Sequence, residues 1–208
     1  MNKGMRPDIV SFSSIINNLC KVGRVMDAQD IFDLTVSICL HPIVMVYSTL
    51  MDGYCLVGKL EKALRVFDAM VSAGIEPNVV VYGTLVNGYC KVGRIDEGLR
   101  LFREILHKGM KPSTILYSII LDGLFQARRT VSTLEMFHEM TESRISVHTN
   151  TCNIVLAELF KNSCSNEAIL LFKKLRAILV KIDIKTLTIM IAGMFKTRRV
   201  EEAKDLFA

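Results

Sequence analysis

Between Val80 and Cys90 the apolar side chains Tyr82, Leu85, Val86 and Tyr89 fall at helical spacing, which predicts an amphipathic helix. Lys91-Val92-Gly93-Arg94 ends it, with a cation at the negative helix end and Gly93 available for a left-handed cap. A second helix opens at Asp96-Glu97, whose carboxylates suit a positive helix end, and continues through Leu99, Leu101, Phe102, Ile105 and Leu106. Gly109 and Pro112 stop it. The stretch predicts a hairpin of two helices, each with one apolar face.

That hairpin recurs along the whole chain. Pro7, Pro42, Pro77 and Pro112 stand 35 residues apart, and Phe32, Phe67, Phe102, Phe137, Phe172 and Phe207 keep the same step. Cys20, Cys55 and Cys90 also obey it. Units of 9–43, 44–78, 79–113, 114–148 and 149–183, with a partial unit 184–208, need no insertion or deletion. Residues 1–8 match the tail of a preceding unit, so a piece of a longer array is expected. A fixed period of this length predicts an all-α solenoid in one continuous array, each unit burying its apolar face against its neighbours. The recurrent phenylalanines should be core. Fidelity falls toward the C-terminus, where Val147 and Ile182 replace proline and Arg128, Ser163 and Arg198 replace the turn glycine. Looser turns are expected there. Phe207, in a helix with no following unit, predicts an aggregation-prone edge.

Half of the 208 residues are hydrophobic, enough for a continuous core and against disorder. Even Ile184–Phe195 is interrupted by Lys185, so no run nears the ~18 apolar residues of a membrane helix. The net charge of +5 fits an acidic partner. The first residues resemble neither a signal peptide nor a transit peptide. The six cysteines form no CxxC pair and predict reduced, mostly buried thiols. Cys39-Leu40-His41 lacks further metal ligands, and the 11 methionines read as gap-filling core. No Ser/His/Asp set, acidic cluster or Gly-rich phosphate loop stands out, so no catalysis and no cofactor are expected.

The blocks VYSTLMDGYCLVGKLEKALRVFDAMVSAGIEPN (46–78) and VYGTLVNGYCKVGRIDEGLRLFREILHKGMKPS (81–113) resemble the pentatricopeptide repeat, in its plain 35-residue type. Period, turn glycine, second-helix phenylalanine and terminal proline agree together over the whole chain. The tetratricopeptide repeat differs, having a ~34-residue period and a characteristic tryptophan that is missing here. Within the family the chain looks most like the plant fertility-restorer group, including LDGLFQARR at 121–129.

The resemblance implies a right-handed superhelix that binds single-stranded RNA at about one base per repeat. Base choice would lie with the fifth and last residues of each unit: Ser13 with Ile43, Ser48 with Asn78, Gly83 with Ser113, Ser118 with His148, and Asn153 with Asp183. Thr188 is the fifth residue of the sixth unit. Ser48/Asn78 is an adenine-favouring combination and Asn153/Asp183 a uracil-favouring one. Val10, Met45, Val80 and Ile115, the second residues, would sandwich bases, a role from which Asn150 and Lys185 depart. Lys21, Lys91, Lys161 and Lys196 would hold the RNA backbone, with Leu56 and Gln126 breaking that series.

The same residues have readings that need no RNA. Asp8, Asn78, Ser113 and Asp183 precede helices and can cap them, and lysines are favourable at helix ends regardless. The resemblance implies a mitochondrial RNA-binding protein acting in transcript processing or translation, with a chloroplast as second choice. Any cleavage would come from a recruited nuclease. No small-molecule substrate and no membrane insertion are expected. The alternatives are a scaffold holding an extended peptide, or a truncated product with little activity of its own.

Overall fold

A computed structural model of the protein describes residues 8–143, 149–177 and 182–207. Among them run twelve helices: α1 (Ile9–Lys21), α2 (Val25–Ser37), α3 (Val44–Leu56), α4 (Leu60–Ser72), α5 (Val79–Lys91), α6 (Ile95–His107), α7 (Thr114–Gln126), α8 (Thr130–Glu142), α9 (Thr149–Lys161), α10 (Ser165–Ala177), α11 (Ile184–Lys196) and α12 (Val200–Phe207). No strand interrupts them among the described residues. The odd-numbered helices begin at the first residue of each expected unit, and the hairpins follow the 35-residue step throughout.

The chain divides into two compact units, one ending at Pro112 and the other beginning at Ser113. In the first, α1, α3 and α5 stack side by side, while α2 and α4 each also touch the first helix of the following repeat. Ile16, Leu50, Met51, Ala63 and Met70 are fully enclosed. Phe32 meets Tyr47 edge-on with ring centres 5.1 Å apart, and Phe67 meets Tyr82 at 5.9 Å. The recurrent phenylalanine thus binds the first hairpin to the second and the second to the third. In the second unit α9 and α11 stack in the same way, around Val155, Leu156, Leu159, Phe172 and Met190. Phe32, Phe102, Phe137 and Phe172 are buried and Phe67 is half-buried. The side chain of Phe207 lies outside the described residues, as do Pro7 and Val147.

The turns of the later hairpins are not looser, contrary to expectation. After α5, Gly93 adopts φ +77°, its N–H donates to the Cys90 carbonyl at 3.0 Å and Arg94 N–H donates to Tyr89 at 2.9 Å. Arg128 takes the same place at φ +56°, with Arg128 N–H on Phe125 and Arg129 N–H on Leu124, both at 2.9 Å. Ser163 (φ +63°) and Arg198 (φ +59°) repeat the pattern. Packing of the two helices holds the turn, so a Cβ-bearing residue is forced into a left-handed conformation that costs about 1–2 kcal/mol. The sequence change is felt as strain, and the geometry is kept.

Glycine has a second use inside the first helices. A Cβ on Gly53 would come within 2.6 Å of Cys20 Sγ, and one on Gly88 would overlap Cys55 Sγ. On Gly193 it would enter the ring of Phe160. Each glycine is a seat for a side chain of the preceding first helix, which explains why Cys20 and Cys55 keep the repeat step. The signal was present as a glycine recurring mid-helix, where it is otherwise unfavourable. Cys20, Cys55, Cys90 and Cys152 are buried, Cys164 is half-buried and Cys39 is exposed, with no disulfide among the described residues. Burial pushes Cys20 and Cys152 up to about 11, and Cys55, with Asp52 adding to burial, to about 12.

Candidate nucleic-acid interface

The first turn of each odd-numbered helix carries an aliphatic residue that the fold leaves in solvent. Val10 is 65% exposed, Met45 66%, Val80 60% and Ile115 72%. In three of the four the residue one place on, Val46, Val81 or Leu116, is buried, so the exposure there belongs to the helix face rather than to a loose end; Ser11, after Val10, is exposed. Asn150 and Lys185 stand at the equivalent places and are exposed too.

Beside each aliphatic sits the last residue of the preceding unit, and it is a helix cap. Asp8 Oδ1 accepts from Ser11 N–H at 2.8 Å, and Asn78 Oδ1 accepts from Val80 and Val81 N–H at 3.0 and 3.1 Å. Ser113 Oγ accepts from Leu116 N–H at 3.3 Å, and Asp183 Oδ1 from Thr186 N–H at 2.7 Å. Ile43 occupies the cap position with no side-chain bond. His148 lies outside the described residues. The capping reading is therefore realised. It spends one oxygen per residue, and the Asn78 amide nitrogen stays unengaged on an exposed side chain.

At the fifth position Ser13, Ser118 and Thr188 donate their hydroxyls to carbonyls one turn back, at Ile9 (2.5 Å), Thr114 (3.0 Å) and Ile184 (2.8 Å). Each keeps an acceptor lone pair. Ser48 is half-buried, with no hydrogen bond to Asn78 among the described residues, and Gly83 supplies backbone only. Asn153 and Asp183 are brought together, the amide nitrogen donating to Asp183 Oδ1 at 3.3 Å. Asn153 is only 2% exposed, and its Oδ1 has no hydrogen-bond partner among the described residues. Asp183 is held below the ordinary carboxylate range chiefly by the Thr186 N–H, then by the Thr186 hydroxyl, the Asn153 amide and the Lys185 charge.

The polar third positions were missed by sequence reasoning. Thr186 Oγ1 donates to Asp183 at 2.8 Å, and Thr151 shares a 3.3 Å hydrogen bond with Ser118. Both threonines are buried, which ties Ser118, the fifth residue of the fourth unit, and Asp183, the last residue of the fifth, to the core. Where other repeats place Val46, Val81 or Leu116, a hydroxyl at the same step was the available signal.

Lys21, Lys91, Lys161 and Lys196 are the exposed final residues of α1, α5, α9 and α11. Lys161 is engaged by Glu158 at 3.1 Å. Lys21, Lys91 and Lys196 form no ion pair among the described residues. Gln126, at the same place in α7, donates to Asp122 at 2.7 Å, and Leu56 is exposed. No trio of His, Cys, Asp and Glu is grouped to hold a metal among the described residues, and none of their helices is long and apolar enough to cross a membrane.

This repeated geometry has clear relatives. Models of the PPR repeat match residues 3–34, 115–145 and 185–208, and the PPR repeat family model matches 42–90 and 77–126. No curated protein matches the sequence. The crystal structure of maize PPR10 superposes with a TM-score of 0.76 at 24% identity, over 97% of this chain and 30% of that one. PPR10 in complex with an 18-nt psaJ RNA element gives 0.72 at 26% identity, over 85% of this chain and 26% of that one. The PPR domain of Arabidopsis thaliana protein-only RNase P 1, in complex with tRNA, gives 0.70 at 14% identity, over 87% of this chain and 95% of that one. The chain thus spans about 30% of the length of maize PPR10. With hairpins of the same length and step matched by these models over most of its residues, the chain belongs to the pentatricopeptide repeat family.

Proposed function

We propose that this chain binds single-stranded RNA in a sequence-dependent way, about one base per repeat, without chemistry of its own. The observation that carries the reading is a solvated aliphatic at the second residue of each of the first four repeats, Val10, Met45, Val80 and Ile115, next to a polar helix cap in three of them, Asp8, Asn78 and Ser113. Solvated aliphatics at one step per repeat offer flat apolar contact to bases, and base stacking contributes ~1–3 kcal/mol per base by alanine substitution. The polar residues alongside then choose among bases through their Watson–Crick edges. The likeness to PPR10, whose structure includes an RNA element, supports the same use.

Ser48 presents a hydroxyl and Asn78 an unengaged amide nitrogen, which suit the donor and acceptor of an adenine edge. Asn153 spends its amide nitrogen on Asp183 and keeps a bare acceptor, which suits the N3–H of uracil and repels the N3 lone pair of cytosine. Burial of Asn153 means that a base reaches it only after its cover shifts, so the second repeat is the better reader of the two. In the cell we place this activity in organellar transcript processing or translation, mitochondrial first, with cutting left to a recruited nuclease.

Selection of bound RNA from a random pool tests the reading. Adenine enrichment opposite the second repeat, lost in Ser48→Ala, is the expected result. A pool that stays unbiased, or equal binding of an acidic peptide and RNA at every salt concentration, would overturn it.

A further inference from the structure

The joint between the fourth and fifth repeats departs from every other joint within either unit. Where α1 meets α3, Cys20 rests on Gly53; where α3 meets α5, Cys55 rests on Gly88; where α9 meets α11, Phe160 rests on Gly193. Between α7 and α9 the corresponding residues are Phe125 and Glu158, so the larger side chain arrives where the seat is occupied. Phe160 shows that a phenylalanine fits when glycine receives it. A ring is thus compatible with close approach, and the two joints differ in the residue that receives it, Gly193 in one and Glu158 in the other.

The consequence is visible on both sides of the pair. α7 and α9 approach one another over a shorter stretch than α1 and α3, α3 and α5, or α9 and α11. A cleft of about 670 Å³ stands in the gap, lined by Asp122, Phe125, Gln126, Glu158, Lys161 and Asn162. Glu158 also draws Lys161 into an ion pair at its mouth.

We propose that Glu158 is a register-breaking residue: by filling the glycine seat it uncouples the fifth repeat from the fourth, so that these two repeats offer bases with no fixed step between them. The second half of that statement rests on the RNA-binding reading above, and the first half does not. An evenly stepped array offers bases at one spacing. A joint that can rock offers more than one spacing, and the uracil-favouring pair Asn153/Asp183 lies just beyond it.

Hydrogen exchange on the full chain tests the joint, comparing the wild type with Glu158→Gly and Glu158→Ala. Amides of α9 should exchange about tenfold faster than those of α5, its counterpart with a seat, and Glu158→Gly should slow them about tenfold. Glu158→Ala removes the charge but keeps a Cβ, and should leave α9 fast. Equal protection of α5 and α9 in the wild type, or equal slowing by both variants, would overturn the proposal. Random-pool selection supplies the second readout. The distance from the base in the fourth repeat, identified as the one whose enrichment Ser118→Asn alters, to the uracil opposite Asn153/Asp183 should spread over at least two values and narrow to one in Glu158→Gly. A single wild-type spacing, or a spread the glycine variant leaves unchanged, counts against it. If no RNA is selected, the RNA-binding reading fails while the exchange data still decide the joint.

Discussion

One side chain often serves as both helix cap and candidate base reader, and the two duties can be separated by substitution. Asn78→Ala should lose about 1 kcal/mol of stability with the cap, whereas Asn78→Asp should keep it, because the two caps are nearly equivalent. The aspartate offers no amide donor. Changed base enrichment at an unchanged thermal midpoint would show the reading role, and unchanged enrichment in Asn78→Asp would leave Asn78 a cap alone. Asp183 and Asp8 add a pH dependence, since both are held below the ordinary carboxylate value, first by the N–H groups they cap. A lowered folded-state pKa means that the native state binds protons less readily than the unfolded one. Their contribution is therefore complete above the unfolded value of about 4 and drains away as pH falls through the lower folded values. Asp183→Asn, which cannot titrate, should flatten part of that acid limb in a melting series. A limb of unchanged steepness would mean that other carboxylates dominate it. Residue-level legibility was uneven: the caps at Asn78, Ser113 and Asp183 followed from their place before an apolar run, but the bond between buried Asn153 and Asp183 arises where α9 meets the start of α11, which linear order does not bring together.

At the scale of the helix, the odd-numbered helices start on the 35-residue step at Ile9, Val44, Val79, Thr114, Thr149 and Ile184, even where Ile43 offers no side-chain cap and where valine or isoleucine stands for the proline. The left-handed turns at Arg128, Ser163 and Arg198 were not foreseen, since local preference is overridden there by the packing of two helices. Arg128→Gly should relieve that conformation and raise stability by about 1 kcal/mol, read as a higher urea midpoint; a lower midpoint would show that Arg128 contributes contacts worth more than its strain. Two glycines give the opposite test. Gly88→Ala gains helix propensity but drives a Cβ into Cys55, so a net loss of about 1–3 kcal/mol is expected. Gly98→Ala meets no atom closer than 3.5 Å and should instead gain up to about 1 kcal/mol. Opposite signs in the two unfolding curves are the observation required. Two losses or two gains would remove the argument that the first helices approach through glycine.

For the whole molecule the decisive quantities are protons and salt. The buried thiols Cys20, Cys55 and Cys152 have folded values of about 11, 12 and 11, raised first by burial. A raised value keeps the native state protonated where the unfolded chain has already ionised, so stability is whole below about pH 8.5 and falls as pH climbs through the folded values. Thiol reagents at neutral pH should accordingly label Cys39 first and leave these three until unfolding. The net charge of +5 is small, so RNA affinity has to come from cations set in a row rather than from the overall field. Each phosphate neutralised on a single strand adds roughly −0.7 to the slope of log K against log salt. Four engaged lysines would give roughly −2.8, but Lys161 is held by Glu158, which leaves three and a slope of roughly −2.1. Lys91→Gln should then flatten the slope by roughly 0.7, and Lys161→Gln should hardly move it. Glu158→Gln, by releasing Lys161, should steepen it by up to the same amount. Binding titrations between low and moderate salt distinguish these cases directly. Equal flattening by Lys91→Gln and Lys161→Gln would mean that RNA displaces Glu158 without hindrance, and no flattening by either would move the phosphate path off the ends of the first helices.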